Sequence, residues 1–167
     1  MFEDSRLGPS AKASAFERWT INPATQQVAR RVIDATAQEF PRPDERRLGQ
    51  PYRWAYTAGL QREGGPDGPF MADQRLYRHD LQTGERAVHD FGAHQHVGEF
   101  VFVPRAADSA EDDGWLMGYV VDAAARTTAL QILDARHFTG APVATVSLPH
   151  LIPAGFHGNW VPAAAGG

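Results

Sequence analysis

Apolar residues along this chain alternate with polar ones over short runs, and each run stops at a glycine, proline, asparagine or aspartate. Alternation with a period of two puts one row of side chains on each face of an extended backbone, so such runs predict half-buried β-strands. Windows that hold three turns of apolar i, i+3, i+4 spacing are nearly absent, which argues against helices. The runs are "FERWTI" from Phe16, "QQVARRVID" from Gln26, "YRWAYTAGL" from Tyr52, "QRLYRHDL" from Gln74 and "ERAVHDF" from Glu85. After Gly98 come "EFVFVP" from Glu99, "GWLMGYVVD" from Gly114, "TALQILDA" from Thr128 and "PVATVSL" from Pro142. Asn22-Pro23, Thr83-Gly84, "EDDG", "AAART" and "RHFTGA" between them supply residues that reverse a chain. Strands at a spacing of about 10 residues joined by short turns predict an all-β fold of antiparallel meanders, in a sandwich, a barrel or propeller blades. Two stretches, "EFPRPDERRLGQP" from Glu39 and "REGGPDGPFMAD" from Arg62, are long for hairpin loops and are candidate functional loops.

Composition narrows the chemistry. A chain of 167 residues with 43% hydrophobic and 22% charged content suits one globular domain. No stretch approaches the roughly 20 apolar residues needed to span a bilayer, and the opening "MFEDSRLGPS" lacks the basic start and apolar run of an export signal, so a cytoplasmic setting is expected. A formal net charge of −4 argues against a phosphate-neutralising face, and nucleic acid is not an expected partner. With no cysteine, disulfides, thiolate ligands and thiol nucleophiles are excluded, and a metal would have to be held by histidine and carboxylate side chains. The acids Glu111, Asp112 and Asp113 lack the alternating ligand spacing of a calcium loop and read as a hairpin turn.

The histidines fall into two groups. His79, His89, His137 and His150 have polar neighbours and read as outward-looking, solvated or locally hydrogen-bonded residues. "GAHQHVGEF" holds His94 and His96 with Glu99 three residues later, and an HxH pair on a strand would point both rings to one face. His157 lies in "PAGFHGNW", between glycines that allow backbone to approach closely and take unusual dihedrals. Two readings of these residues stay open at this point. A cupin-like barrel would gather His94, His96, Glu99 and His157 round one ion, although Glu99 comes one residue early and His157 follows Gly155 too closely for that pattern. A non-catalytic β binding domain would leave Glu99 and His157 apart and both wetted.

A longer comparison adds a third reading. The strand "GEFVFVP", the turn "EDDG", the strand into "LDAR", the segment "PVATVSLP" and the closing "PAGFHGNW" resemble, in order, the C-terminal part of the carotenoid cleavage oxygenases, a family that includes lignostilbene dioxygenases and the retinal isomerase. Upstream, "EFPRPDERRLGQPYRWAYTAGL" resembles that family's E-F-P-R stretch and the aromatic strand after it. The resemblance implies a seven-bladed β-propeller, of which residues 1–167 would form only C-terminal blades, with N-terminal blades missing. It implies an Fe(II) cofactor at the propeller axis held by four histidines, three of them steadied by glutamates. His157 matches the last iron ligand, Glu99 the last of the glutamates and Glu39 the middle one; the other histidines would belong upstream of Met1. The implied reaction is cleavage of a C=C bond in a carotenoid, apocarotenoid or stilbene by O2. The implied isolated chain is inactive, and membrane contact would come only through the missing parts. One departure stands out: Phe100 replaces the proline that commonly follows the glutamate.

Overall fold

The computed structural model describes residues 14–61, 72–152, 155 and 157–163. Among these residues the chain is all-β, relieved by a single 3-10 turn at Glu45–Arg47. Strands β1 (Phe16–Asn22) and β2 (Gln27–Asp34) form a hairpin, and β3 (Gln38–Arg42), β4 (Trp54–Leu60), β5 (Ala72–Asp80) and β6 (Arg86–Asp90) form a four-stranded meander. The third sheet contains β7 (Gln95–Val97), β8 (Val101–Pro104), β9 (Gly114–Asp122), β10 (Thr127–Asp134) and β11 (Ala144–Ser147), with β7 and β8 sharing one edge of β9. All the pairings are antiparallel. Antiparallel sheets following one another along the chain are the organisation of propeller blades.

The core fills the seam between the second and third sheets. Tyr56, Ala58 and Leu76 from one side meet Phe102, Leu116, Val120 and Leu133 from the other, and Phe40, Phe100 and Phe138 close the gap. Tyr56 and Phe102 stack across it with ring centroids 6.1 Å apart. Gly118 is required here for close approach, because a Cβ at that position would run into the Phe100 ring. The "EDDG" acids do form a turn, as read. That turn is tied to the neighbouring sheet by Glu111, whose carboxylate accepts the backbone N–H groups of Arg53 and Trp54 at 2.6 and 2.7 Å.

The hairpin is held differently. Phe16 is buried against the His79 ring, Asp34 accepts from Arg86 at 2.7 Å, and the Gln38 N–H donates to the Ser14 carbonyl at 2.9 Å. Beyond that root its register sets Trp19, Ile21, Val28 and Val32 on one face, and all four are exposed.

Three expectations need correction. "EFPRPDERRLGQP" is not wholly a loop, since its start is strand β3; proline is tolerated there because the strand is bulged. His79 and His89 face inward rather than outward. His79 Nε2 lies 2.8 Å from Gln38 Oε1 and 3.1 Å from Thr57 Oγ1, and His89 Nδ1 lies 2.9 Å from the Phe138 carbonyl. Burial and the nearby Arg86 push the His79 ring down, Asp34 pulls it up, and the net value is about 4. Finally, His94 and His96 do not share a strand: His94 sits in a turn at φ +63°, and only His96 lies in β7. The loop expected at residues 62–73 falls almost entirely outside the described residues.

Candidate metal-ligand site

Two β-bulges build the site. Along β3, Glu39 pairs with Ala58 and Arg42 with Tyr56, so three steps on one strand oppose two on the other. The extra residue turns Phe40 to φ +56°, a left-handed conformation that a non-glycine residue rarely takes. On the third sheet, Val97 pairs with Val120 and Val101 with Met117, so four steps oppose three. That bulge spans Gly98, Glu99 and Phe100. A bulge leaves a residue out of the ladder and re-aims its side chain. Here one aims Arg42 and the other aims Glu99 at the same point, while Phe40 and Phe100 turn into the core.

At that point the tail of the chain crosses. Glu99 Oε1 accepts from Arg42 Nε at 2.8 Å and lies 3.3 Å from His157 Nδ1, while its other oxygen accepts the Gly158 N–H at 2.7 Å. Arg42 also donates to the Gly158 carbonyl at 2.7 Å and to Glu45 Oε1 at 2.7 Å. The Phe40 ring meets the His157 ring edge-on at a centroid distance of 5.6 Å. The Glu99 side chain is 5% exposed and that of His157 68%, so the carboxylate is enclosed and the imidazole faces outward. Burial alone would push the Glu99 carboxyl up. The Arg42 guanidinium, the Gly158 N–H and His157 outweigh it, and the net shift is downward, which keeps the group an anion.

The structure therefore joins Glu99 to His157 and separates the remaining sequence candidates from them. Glu39 is exposed at the start of the β3 bulge. His96 is buried and its Nδ1 lies 3.2 Å from the Gln61 side-chain amide. The described residues contain no group of three or more His, Asp or Glu side chains placed to hold a metal. A cupin-like cluster of His94, His96, Glu99 and His157 is thus not what these residues form, and Glu99 and His157 are not the separated, wetted pair of a plain binding domain. Arg42 and Glu45 were missed as site residues. Arg42 stood in the quoted E-F-P-R stretch, yet nothing in the spacing joins it to a glutamate so far along the chain.

An imidazole with a carboxylate on one ring nitrogen has its tautomer and orientation fixed, and its second nitrogen is the one left for a metal. Comparison with known proteins sets this pair in context. The family model described as retinal pigment epithelial membrane protein matches residues 2–162. The chain belongs to the carotenoid cleavage oxygenase family. It is 42% identical over 165 residues to a carotenoid cleavage oxygenase of Mycobacterium tuberculosis, covering 97% of this chain and 32% of the relative. It is 36% identical over 143 residues to an apocarotenoid-15,15'-oxygenase of Synechocystis, covering 86% of this chain and 28% of the relative. A lignostilbene-alpha,beta-dioxygenase isozyme of Sphingomonas paucimobilis is 32% identical, with 93% of this chain and 33% of the relative covered. Among solved structures, a cobalt-substituted Synechocystis apocarotenoid oxygenase superposes with a TM-score of 0.77 at 34% identity, over 88% of this chain and 30% of its own. The chain thus spans about a third of the length of the relatives it matches, and its sheets are part of a β-propeller.

Proposed function

We propose that this chain supplies one iron-ligating imidazole, His157, to an Fe(II)-dependent oxygenase that cleaves a C=C bond of an apolar polyene or stilbene. The observation that supports the reading is the enclosed Glu99 carboxylate against His157 Nδ1. A carboxylate there steadies the ring, keeps Nδ1 the protonated nitrogen and raises the basicity of the other, which are the requirements of a metal-bound histidine. Glu39, by the family pattern, would steady a histidine that this chain does not contain. Fe(II) held by such imidazoles supplies the redox chemistry that lets O2 react with an alkene. One O2 and one alkene give two carbonyl products, with one oxygen atom in each. The substrate class follows the names of the relatives, which are carotenoid, apocarotenoid and stilbene enzymes.

A single imidazole does not hold Fe(II), so the remaining donors would come from further blades, and the isolated chain would be inactive. A cytoplasmic setting, with membrane contact only through such blades, belongs to the same reading. The test is a chimera in which this chain replaces the matching third of the mycobacterial relative. The expected result is a folded protein that retains iron and splits a carotenoid, and that loses its iron on His157→Ala. A folded chimera whose iron content ignores His157→Ala, or an isolated chain that binds stoichiometric Fe(II) and cleaves alkenes, would overturn the reading.

A further inference from the structure

We propose that Arg42 is a positioning residue for His157: together with Glu99 it grips the Gly158 backbone at its N–H and its C=O and so fixes the direction of the exposed ring. The metal-facing purpose of that grip rests on the function proposed above, whereas the grip itself rests on geometry alone. Residues 157–163 lie in no strand, so the backbone of this tail has no ladder to hold it. The backbone groups of Gly158 are satisfied by side chains instead: Glu99 Oε2 accepts the N–H at 2.7 Å, and Arg42 donates to the C=O at 2.7 Å. Arg42 and Glu99 are themselves joined at 2.8 Å, so Arg42, Glu99 and the Gly158 backbone close a ring of hydrogen bonds around one residue. This is what a neighbouring strand would otherwise provide, an acceptor and a donor side by side.

The fork of a guanidinium suits the task. Arg42 reaches Glu99 through Nε, Gly158 through one terminal nitrogen and Glu45 through the other, which a single ammonium cannot do in one plane. Glu45 in turn lies 3.4 Å from the Asn159 side-chain amide, which extends the hold by one residue. Phe40, turned inward by the same bulge, sets the edge-on contact with His157. The β3 bulge thus delivers two neighbours of the ring that sequence spacing alone does not associate with it. Without Arg42, Glu99 would keep its anionic oxygens but lose the partner that orients them, and His157 would be free to turn Nδ1 away.

The test uses the 15N-labelled chain at about pH 8, above the usual charging range of imidazoles, with no metal added. In the native protein the His157 side chain should show the Nδ1–H tautomer, and the Gly158 amide should exchange slowly. Arg42→Met should move the ring toward the Nε2–H tautomer and speed Gly158 exchange by about tenfold, as expected when Glu99, the acceptor of that N–H, loses the charged hydrogen bond that orients it. Amides of Leu116 and Val120 in β9 should keep their native rates, which separates a local change from unfolding. Arg42→Lys keeps the charge without the fork, so it should shift both readouts the same way, and it stands in if the Met variant folds poorly. Native tautomer and native Gly158 exchange in both variants would overturn the proposal. Neither readout involves iron, so this failure is distinguishable from failure of the chimera.

Discussion

The buried His79 ring gives the sharpest quantitative prediction. It is 3% exposed, and its value of about 4 compares with the ordinary 6.5. Its neighbours explain the direction: the interior disfavours charge, Arg86 adds to that, and Asp34, 4.0 Å away, opposes it without winning. The folded protein therefore holds the ring neutral while the unfolded chain takes up a proton below 6.5. Stability is complete above that pH and is lost as pH falls toward 4. For one site with these two values, linkage gives a loss of about 2 kcal/mol between pH 7 and pH 5, and about 3 kcal/mol by pH 4. The depressed carboxyls Asp34 and Glu99 act in the same direction but at lower pH, so the two windows separate. The assay is urea unfolding of the native chain and of His79→Gln at half-unit pH steps from pH 7 to pH 4.5. All other groups are common to both proteins and cancel in the difference. The native protein should lose about 2 kcal/mol more than the variant by pH 5. Parallel stability curves would refute the argument and show that the ring is protonated within the fold.

Further outcomes follow from packing. Phe100→Ala removes a ring that is 2% exposed and packed over Gly118, and should cost about 3–5 kcal/mol in urea unfolding; a loss below about 1 kcal/mol would mean that the seam closes without it. Glu111→Ala strips the acceptor from two backbone N–H groups and should cost about 1–3 kcal/mol, with Glu111→Gln milder because one oxygen remains; equal effects would assign the role to charge rather than to the hydrogen bonds. The exposed Trp19, Ile21, Val28 and Val32, which share their hairpin face with the Glu17–Arg30 ion pair, should drive concentration-dependent association visible in sedimentation velocity, and Ile21→Lys with Val28→Glu should weaken it. A native chain that sediments as one monomeric species at all concentrations would count against that surface.

Strand content was legible because alternation survives wherever one face is buried. "GWLMGYVVD" became β9 residue for residue, and the glycine and aspartate turns fell where they were read. What escaped was whatever depends on pairing between strands. A bulge is one extra residue relative to a partner, so neither the β3 bulge nor the one at Glu99 has a signature within its own strand. His79 shows the same limit: moving a strand by one residue exchanges its faces, and polar neighbours alone made the ring read as outward. Glu99 and His157 were picked out by motif, since spacing carries no hint that residues so far apart meet. Arg42 had no such help.

The location of the pair ties its aim to the core. Arg42 and Phe40 come from β3 of one sheet, Glu99 and Phe100 from the broken edge of β9's partner in the next, and His157 from the tail laid between them. Each bulge turns one aromatic into the seam and sends a charged group out of it. Phe40 and Phe100 belong to the same buried cluster, so the two sheets are fixed to each other by the residues adjoining the site. The residue after Glu99 fits this arrangement: Phe100 anchors the backbone at that point by filling the space over Gly118. The direction of Glu99 is then set by core packing. Substitutions deep in the seam will accordingly reach His157 through the backbone of residues 98–100, with no change in any side chain that touches the ring.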